Sequence, residues 1–192
     1  MSYKTPNIPL IPNPIGLDYA IQQIQIKLGG ISWLDYSFGK SIRIEHEPDS
    51  KKYFPAVYDG SSEYFSVEFN DNLQAQSFFI AGDGKMIDFE ENQYNTWKYD
   101  LDLVVWWNYK KIDPIKDFLF IEELKRDVVS VLSRGIPGID ITYEVEGVTE
   151  DFYKIFKEYS FTEAQRQYIM HPFGAFRISG TVKFDEQCSL PS

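Results

Sequence analysis

The 192-residue chain is long enough for one large domain, and its 43% hydrophobic residues can form a substantial core. The formal net charge of −10 and the lack of a basic cluster disfavour tight binding to nucleic acid, which depends on Lys and Arg releasing counterions. The single cysteine, Cys188, excludes an internal disulfide and cannot by itself supply a cysteine zinc site.

Export and membrane insertion are also disfavoured by the sequence. No stretch approaches the roughly 20 apolar residues that a spanning helix needs, and the N-terminus lacks the pattern of a signal peptide. The chain has 15 Phe, 13 Tyr and 4 Trp, more aromatic surface than one small core requires. Because aromatic side chains dominate protein interfaces, this surplus predicts contacts with partners.

Residues 1–16 are predicted to form an extended arm, because their prolines disfavour a helix and favour polyproline II. At ~3.1 Å per residue, the nine residues 6–14 span roughly 28 Å, enough to lie along a neighbouring subunit. A self-packed or loose tail is equally compatible with the composition. The prolines are Pro6, Pro9, Pro12 and Pro14. The apolar residues that an interface would bury are Ile8, Leu10, Ile11 and Ile15.

The first regular element is an amphipathic helix over residues 17–28, in which Ile21 and Ile24 share one stripe with the terminal leucines. Gly29 and Gly30 are placed to end it. The following apolar segment, residues 31–38, is expected to pack the end of the helix against the domain.

A strand is predicted next, over residues 40–45. Its alternation directs Ile42 and Ile44 toward the core, and Arg43 and Glu45 toward solvent.

Residues 53–96 are predicted to contain short strands separated by turns. The expected strands are residues 54–58, 64–69 and 77–80. We interpret residues 82–84 as a hairpin turn and residues 88–96 as a loop that leads into the next strand.

Residues 99–109 carry the clearest strand pattern of the chain. They begin with alternating polar and apolar residues and end in an apolar run that includes Trp106 and Trp107. Alternation is typical of a strand with one covered face. An unbroken apolar run is typical of a strand that is covered on both faces. The pattern predicts a central strand that starts at the rim of a sheet and ends inside the core.

A second amphipathic helix is predicted over residues 118–132, with Gly135 as its cap. Two further strands are expected over residues 139–146 and 176–184, and the opposite charges of their polar faces favour pairing them. Between these strands, residues 149–159 and 162–170 are interpreted as helices or turns.

These elements predict an α+β fold, with a mixed, mainly antiparallel β-sheet flanked by two or three helices and an extended N-terminal arm. We expect the arm at residues 1–16 and a C-terminal tail at residues 187–192. A single α+β domain is expected at residues 17–186, with a β-rich insertion around residues 53–96.

Carboxylate pairs are the first candidates for chemistry. Asp100 and Asp102 share one face of the central strand, at a spacing that carboxylate-dependent hydrolysis allows. Polar residues at the exposed end of an alternating strand need no catalytic role, however. We interpret this pair as solvated surface, and Glu90 and Glu91 in the same way.

The histidines and the glycine-rich turn lack the partners that chemistry would need. His46 lies between two glutamates without a spaced third ligand, and His171 is expected to hydrogen-bond carbonyls at a helix end. Residues 82–85 lack the pattern of a phosphate-binding loop, and Cys188 has no paired histidine signature. The sequence therefore predicts no catalytic, cofactor-binding or metal-binding residues and no enzyme.

Three phrases of the sequence resemble the neck and tail-barrel ring proteins of crAss-like phages. They are WLDYSFG at residues 33–39, YFPAVY at residues 53–58 and HPFGAFRI at residues 171–178. The order of a helix, a β-rich middle, a strand, a helix and a final strand also resembles bacteriophage head-tail connector and tail-terminator proteins. The resemblance covers residues 17–184.

This resemblance implies a non-enzymatic structural protein of the virion, in the tail or neck, that is assembled in the host bacterial cytoplasm. It implies a homo-oligomeric ring, a hexamer or dodecamer, that contacts adjacent ring, portal or tail proteins. Such a ring joins head to tail and leaves a channel through which DNA passes in transit. It implies no cofactor and no membrane. We expect the subunit interfaces at the arm and at residues 82–85 and 88–96.

Two other functions are compatible with the residues. One is a monomeric α+β binding module for a peptide or glycan, held by aromatic loops. The other is a carboxylate-dependent hydrolase that uses Asp100 and Asp102.

Overall fold

The strand predicted over residues 99–109 lies at the centre of the fold. In a computed structural model it belongs to β6 (Tyr94–Asn108), the middle strand of a five-stranded sheet. Its apolar end is covered on both faces, as the sequence predicts. Leu101, Leu103, Val105 and Trp107 are buried on one face, and Val104 and Trp106 on the other. The structure describes residues 11–45, 47–58, 64–67, 70, 72–90, 94–116, 118–135, 140–160 and 170–187.

The central sheet has the strand order β1-β5-β6-β8-β7. β1 (Tyr36–Lys40) runs parallel to β5 (Ala75–Glu90), and every other pair of neighbours is antiparallel. The predicted pairing of the last two strands, β7 (Ile141–Thr149) and β8 (Phe173–Gln187), is confirmed. The α+β class and the mixed, mainly antiparallel sheet are therefore confirmed.

One face of this sheet is covered by the two longer helices, α1 (Gly16–Leu28) and α3 (Ile121–Leu132). Each buries the apolar stripe predicted from its sequence. The indole of Trp33 donates a hydrogen bond of 3.1 Å to Asp127 Oδ2 and so joins the segment after α1 to α3. The buried stripe residues are Ile21, Ile24 and Leu28 in α1 and Leu124, Val128 and Leu132 in α3.

The opposite face is covered in part by a small antiparallel sheet. Its strands are β2 (Ile42–Glu45), β3 (Tyr53–Tyr58) and β4 (Tyr64–Ser66), in that order. Two single-turn helices complete the described part of the chain: α2 (Tyr109–Ile112) follows β6, and α4 (Phe152–Ile155) packs beside the small sheet. The β-rich residues 53–96 are thus divided between two sheets.

The prediction of a turn at residues 82–84 is wrong, and the predicted loop at residues 88–96 is wrong for residues 88–90 and 94–96, which are strand; residues 91–93 lie outside the described residues. β5 continues to Glu90, and β6 begins at Tyr94 directly opposite it. The glycines mark a bulge in β5 and a close approach between strands, because a Cβ on Gly84 would lie 2.2 Å from the ring of Tyr99. Glycine is needed at this site because the strand packs against Tyr99. In the sequence, the same glycines look like a turn.

Three smaller predictions also fail. Ile42 does not face the core, since its side chain is 37% exposed and β2 lies in the small sheet. The helix predicted from residue 118 begins at Ile121, and Phe118 is 61% exposed. That helix ends at Leu132 with Ser133 as its cap, and the carbonyl of Gly135 instead accepts a 2.7 Å hydrogen bond from Lys27.

Several predictions fall outside the described residues. They concern residues 1–10 of the arm, the helix over residues 162–169, His46, Glu91 and Cys188. Within the described ranges, none of the helices has the length and apolar character needed to cross a membrane.

Candidate functional site

A polar basin lies beside the small sheet, on the same face of the central sheet. Its volume is about 440 Å³, and it opens over the polar halves of the central strands. Asp100 and Asp102 both line it, so the prediction that they share a face is confirmed. Glu146 of β7 and the Lys157–Glu158 turn after α4 complete its charged lining.

Arg177 of β8 forms the base of this basin and is its most buried charge, with a side chain 4% exposed. Its Nη1 donates to Glu158 Oε2 at 2.6 Å, and its Nη2 to Glu158 Oε1 at 2.9 Å. Its Nε donates to Asp102 Oδ2 at 2.7 Å, and Nη2 contacts the same oxygen. A planar guanidinium matches two carboxylates in this way, so the cluster is a charge-assisted network.

Electrostatics in the network favour the ionised carboxylate. Burial alone would raise the pKa of Glu158, but the hydrogen bonds and charge of Arg177 outweigh burial and lower it. Burial alone would lower the pKa of Arg177, but the hydrogen bonds that it donates to Glu158 and Asp102, together with their charges, outweigh burial and raise it. The guanidinium of Arg177 therefore favours the charged form of Glu158.

The interpretation of Asp102 as merely solvated surface is wrong. Its carboxylate is bound by a buried guanidinium, whereas Asp100 is exposed at the rim of the basin. A hydrolytic pair would need both carboxylates directed at a substrate, and Asp102 is directed at Arg177 instead. No local pattern indicates this contact, because Arg177 lies 75 residues from Asp102 and 19 from Glu158.

The network also fastens α4 and the turn after it to both sheets. Arg177 Nη1 donates to the carbonyl of Ile155 at 3.1 Å. On the other side of the turn, the Ser160 amide donates to the carbonyl of Tyr53 at 2.8 Å. The Tyr159 hydroxyl lies 3.1 Å from Ser41 Oγ. The charged residues of the basin therefore join the central sheet to the small one.

A second concavity, the β8-end groove, lies at the beginning of β8 and has a volume of about 250 Å³. β7 stops at Thr149, opposite Arg177, so in the described part of the chain no strand lies beside residues 173–176 on that edge. Gly174 and Ala175 line the groove there. The ring of His171, which also lines it, stacks on Tyr109 at 6.3 Å.

The walls of the β8-end groove are apolar. Leu119 and Ile121, just before and at the start of α3, and Phe152 and Ile155 of α4 line it. Leu119 is 63% exposed. The groove is therefore a mainly apolar concavity, with Glu150 as a charged residue in its lining, and it is suited to an apolar peptide segment.

A third exposed feature is the outer edge of β5. The parallel neighbour β1 ends at Lys40, opposite Phe79, and β5 runs on to Glu90 without a described strand on that side. Met86 and Ile87 lie in this stretch, 53% and 47% exposed. An edge of this kind can accept another strand.

Among the residues that the structure describes, no group of three or more His, Cys, Asp and Glu side chains could hold a metal ion. No protein-family model matches the chain, and the search of curated proteins gives no significant match. The functional proposal below is therefore based on the sequence and on the surfaces described above.

Proposed function

We propose that the protein is a structural component of the virion of a tailed bacteriophage. In this proposal it forms a homo-oligomeric ring, a hexamer or dodecamer, in the neck or tail barrel. The ring joins head to tail, contacts adjacent ring, portal or tail proteins, and leaves a channel for DNA in transit. Assembly takes place in the host bacterial cytoplasm, and the protein has no enzymatic turnover.

The observation that carries this proposal is the open edge of β5. Ten residues, 81–90, extend beyond β1 with exposed apolar side chains at Met86 and Ile87. A long open edge is a site of strand addition, and monomeric proteins usually shorten or cover it. The bulge and the charges of Asp83, Lys85 and Asp88 disfavour indiscriminate pairing, so a defined partner surface is favoured.

The position of the second exposed surface also supports a ring. A closed ring requires heterologous contacts, in which two different patches of one subunit meet its two neighbours. The open edge of β5 and the β8-end groove lie on opposite sides of the central sheet, toward opposite ends of its strands. This diagonal arrangement suits head-to-tail association of identical subunits.

Charge is consistent with the role proposed for the channel. The net charge of −10 makes the surface repel the phosphate backbone, so DNA could pass without being retained.

Native mass spectrometry and negative-stain imaging of the purified protein test the proposal. We expect closed rings of six or twelve subunits, and we expect Met86→Lys combined with Ile87→Lys to weaken their assembly because charge is placed on the open edge. Ile26→Lys is the matched control, since Ile26 is 48% exposed on α1, away from that edge. A wild-type protein that stays monomeric at high concentration would contradict the proposal.

The second candidate function is a monomeric binding module for an extended peptide, which the β8-end groove favours. A peptide array probed with monomeric protein would support it if the hits share an apolar extended pattern and Leu119→Asp abolishes them. Rings that form with the groove unoccupied would count against it.

A further inference from the structure

We infer that β5 of one subunit pairs with β7 of a neighbouring copy, so that the central sheet continues from subunit to subunit. The contact places Lys85 opposite Glu144 of that copy. This inference rests on the self-assembly proposed above, and it names the surface to which the outer edge of β5 binds.

β7 is the other long edge of the central sheet. It has nine residues, and in the described part of the chain no strand pairs with its outer side. The edge at β1 is occupied, because the carbonyl of Ser37 accepts a 2.7 Å hydrogen bond from Gln25 of α1. The edge strands of the small sheet, β2 and β4, have only four and three residues. Among the described strands, β7 is therefore the edge best suited to β5.

The two edges lie at the same level along the strands. Lys85 of β5 pairs with Lys98, Lys98 pairs with Lys183, and Lys183 pairs with Thr142 of β7. Because each of these pairings is antiparallel, β5 and β7 run in opposite directions. A copy placed beside the first in the same orientation therefore presents its β7 antiparallel to β5. Repetition joins two different edges of every subunit, which is the heterologous contact that a ring requires.

A row of lysines gives this partner a favourable charge. Lys85, Lys98 and Lys183 lie directly opposite one another on three neighbouring strands. In the described part of the chain none of them forms an ion pair. Like charges in direct opposition destabilise a sheet, and opposite charges stabilise it. β7 carries Glu144 and Glu146 on its exposed positions, so a neighbouring β7 places a carboxylate at the open end of the row.

The same register matches the two faces of the sheets. With Lys85 opposite Glu144, alternation places Met86 opposite Tyr143. Met86 pairs with Trp97, which packs against the main core, and Tyr143 belongs to that core. Apolar side chains therefore meet on the face that carries the core, and charged side chains meet on the other face.

The regular part of the contact is short. β5 has irregularities between residues 81 and 84 and between residues 86 and 88, and β7 has one between residues 145 and 147. Bulges of this kind interrupt pairing and limit indiscriminate association. A closed ring compensates for a short contact, because every subunit is held on both sides at once.

Charge reversal in the full-length chain tests the register. Lys85→Glu and Glu144→Lys each place like charges opposite one another, so each should raise the dissociation constant of the assembly about fivefold. Both residues are exposed, and the double variant should assemble like the wild type. Lys111→Glu, at an exposed position of α2, is the matched control and should leave assembly unchanged. Sedimentation velocity over a concentration series measures these constants.

Mixing the two single variants gives a sharper test. An equimolar mixture can form rings in which the two variants alternate, and every contact then joins opposite charges. We expect the mixture to recover assembly that neither variant shows alone at the same concentration. Native mass spectrometry should find equal numbers of the two subunits in each ring.

Disulfide trapping tests the contact directly. In a Cys188→Ser background, Lys85→Cys is combined with Glu144→Cys, and the protein is mildly oxidised. The Cβ atoms of directly opposite residues lie about 4.5–5.5 Å apart, close to the separation in a disulfide. We expect a ladder of cross-linked subunits on a non-reducing gel. The control combines Lys85→Cys with Val148→Cys, which is 41% exposed further along β7.

The outcomes separate this inference from the proposed function. If the wild type forms oligomers but the mixture does not recover assembly and trapping does not exceed the control, the pairing of β5 with β7 is wrong and self-assembly stands. If the wild type is monomeric and no cross-link forms, both are wrong.

Discussion

Replacing Arg177 with methionine is the most direct perturbation of the basin. The substitution keeps an unbranched side chain of similar length but removes the guanidinium that binds Asp102 and Glu158. Those carboxylates, 18% and 21% exposed, would then remain without their partner in a partly buried site. Arg177→Met is therefore expected to destabilise the fold.

The magnitude follows from the burial of the partners. Removing one member of a buried ion pair costs about 3–5 kcal/mol, and the open basin, which lets water reach both carboxylates, favours the lower end. For a domain of this size a loss of about 3 kcal/mol lowers Tm by roughly 6–12 °C. Urea unfolding followed by tryptophan fluorescence should show a lower midpoint with an unchanged slope.

Two further variants distinguish the effect of losing this ion-pair network from the effect of removing any arginine. Arg126→Met removes a guanidinium that is 71% exposed, and it should change the free energy of unfolding by no more than about 0.5 kcal/mol. Combining Arg177→Met with Asp102→Asn and Glu158→Gln should recover part of the loss, because no unpaired charge then remains. Equal stability of Arg177→Met and Arg126→Met would refute the reasoning.

Acid unfolding provides an independent check on the same network. Burial alone would raise the pKa of Glu158, but Arg177 outweighs it, and the folded-state pKa lies below the ordinary value of 4.5. The resulting stabilisation is present in full above pH 4.5 and is lost as the pH falls through the folded-state pKa. In Arg177→Met burial is opposed only by a backbone hydrogen bond and the charge of Lys157, so this loss on acidification should be smaller than in the wild type. A steeper loss in the variant would contradict the assigned cause.

Two other predictions concern the junction of β7 and β8. Tyr143→Phe removes a buried hydrogen bond of 2.7 Å to the carbonyl of Leu101 and should cost about 1–2 kcal/mol in urea unfolding; no loss would show that water replaces the hydroxyl. Gly180→Ala should cost about 1–3 kcal/mol, because the new Cβ would lie 2.5 Å from the carbonyl oxygen of Glu144. Gly147→Ala, with no atom within 4 Å of its Cβ, is the control, and equal effects of the two would refute the packing argument.

Local pattern was sufficient where one element could be recognised from its own residues. The stripe of α1 and the two-sided apolar run of β6 predicted their buried faces, because periodicity follows directly from helix and strand geometry. The opposite charges of β7 and β8 predicted their pairing, because alternation places the charges of each strand on one face, where they can meet those of the neighbour. These elements together were enough to predict the α+β class.

Local pattern failed where the cause lay in another part of the chain. Gly82 and Gly84 look like a turn, but Gly84 is required by the ring of Tyr99, which crosses it from the neighbouring strand. Ile42 alternates like a core residue, but it belongs to a small sheet that leaves it partly exposed. In both cases strand pairing, which one segment cannot encode, decided the outcome.

The sequence by itself determined the class of the fold and its central strand. Only the tertiary structure decided that Arg177 binds Asp102 and Glu158, and that β5 runs on beyond the end of β1. The physical reason is that periodicity is a property of neighbouring residues, whereas ion pairs and open edges depend on which distant segments meet and where each strand stops.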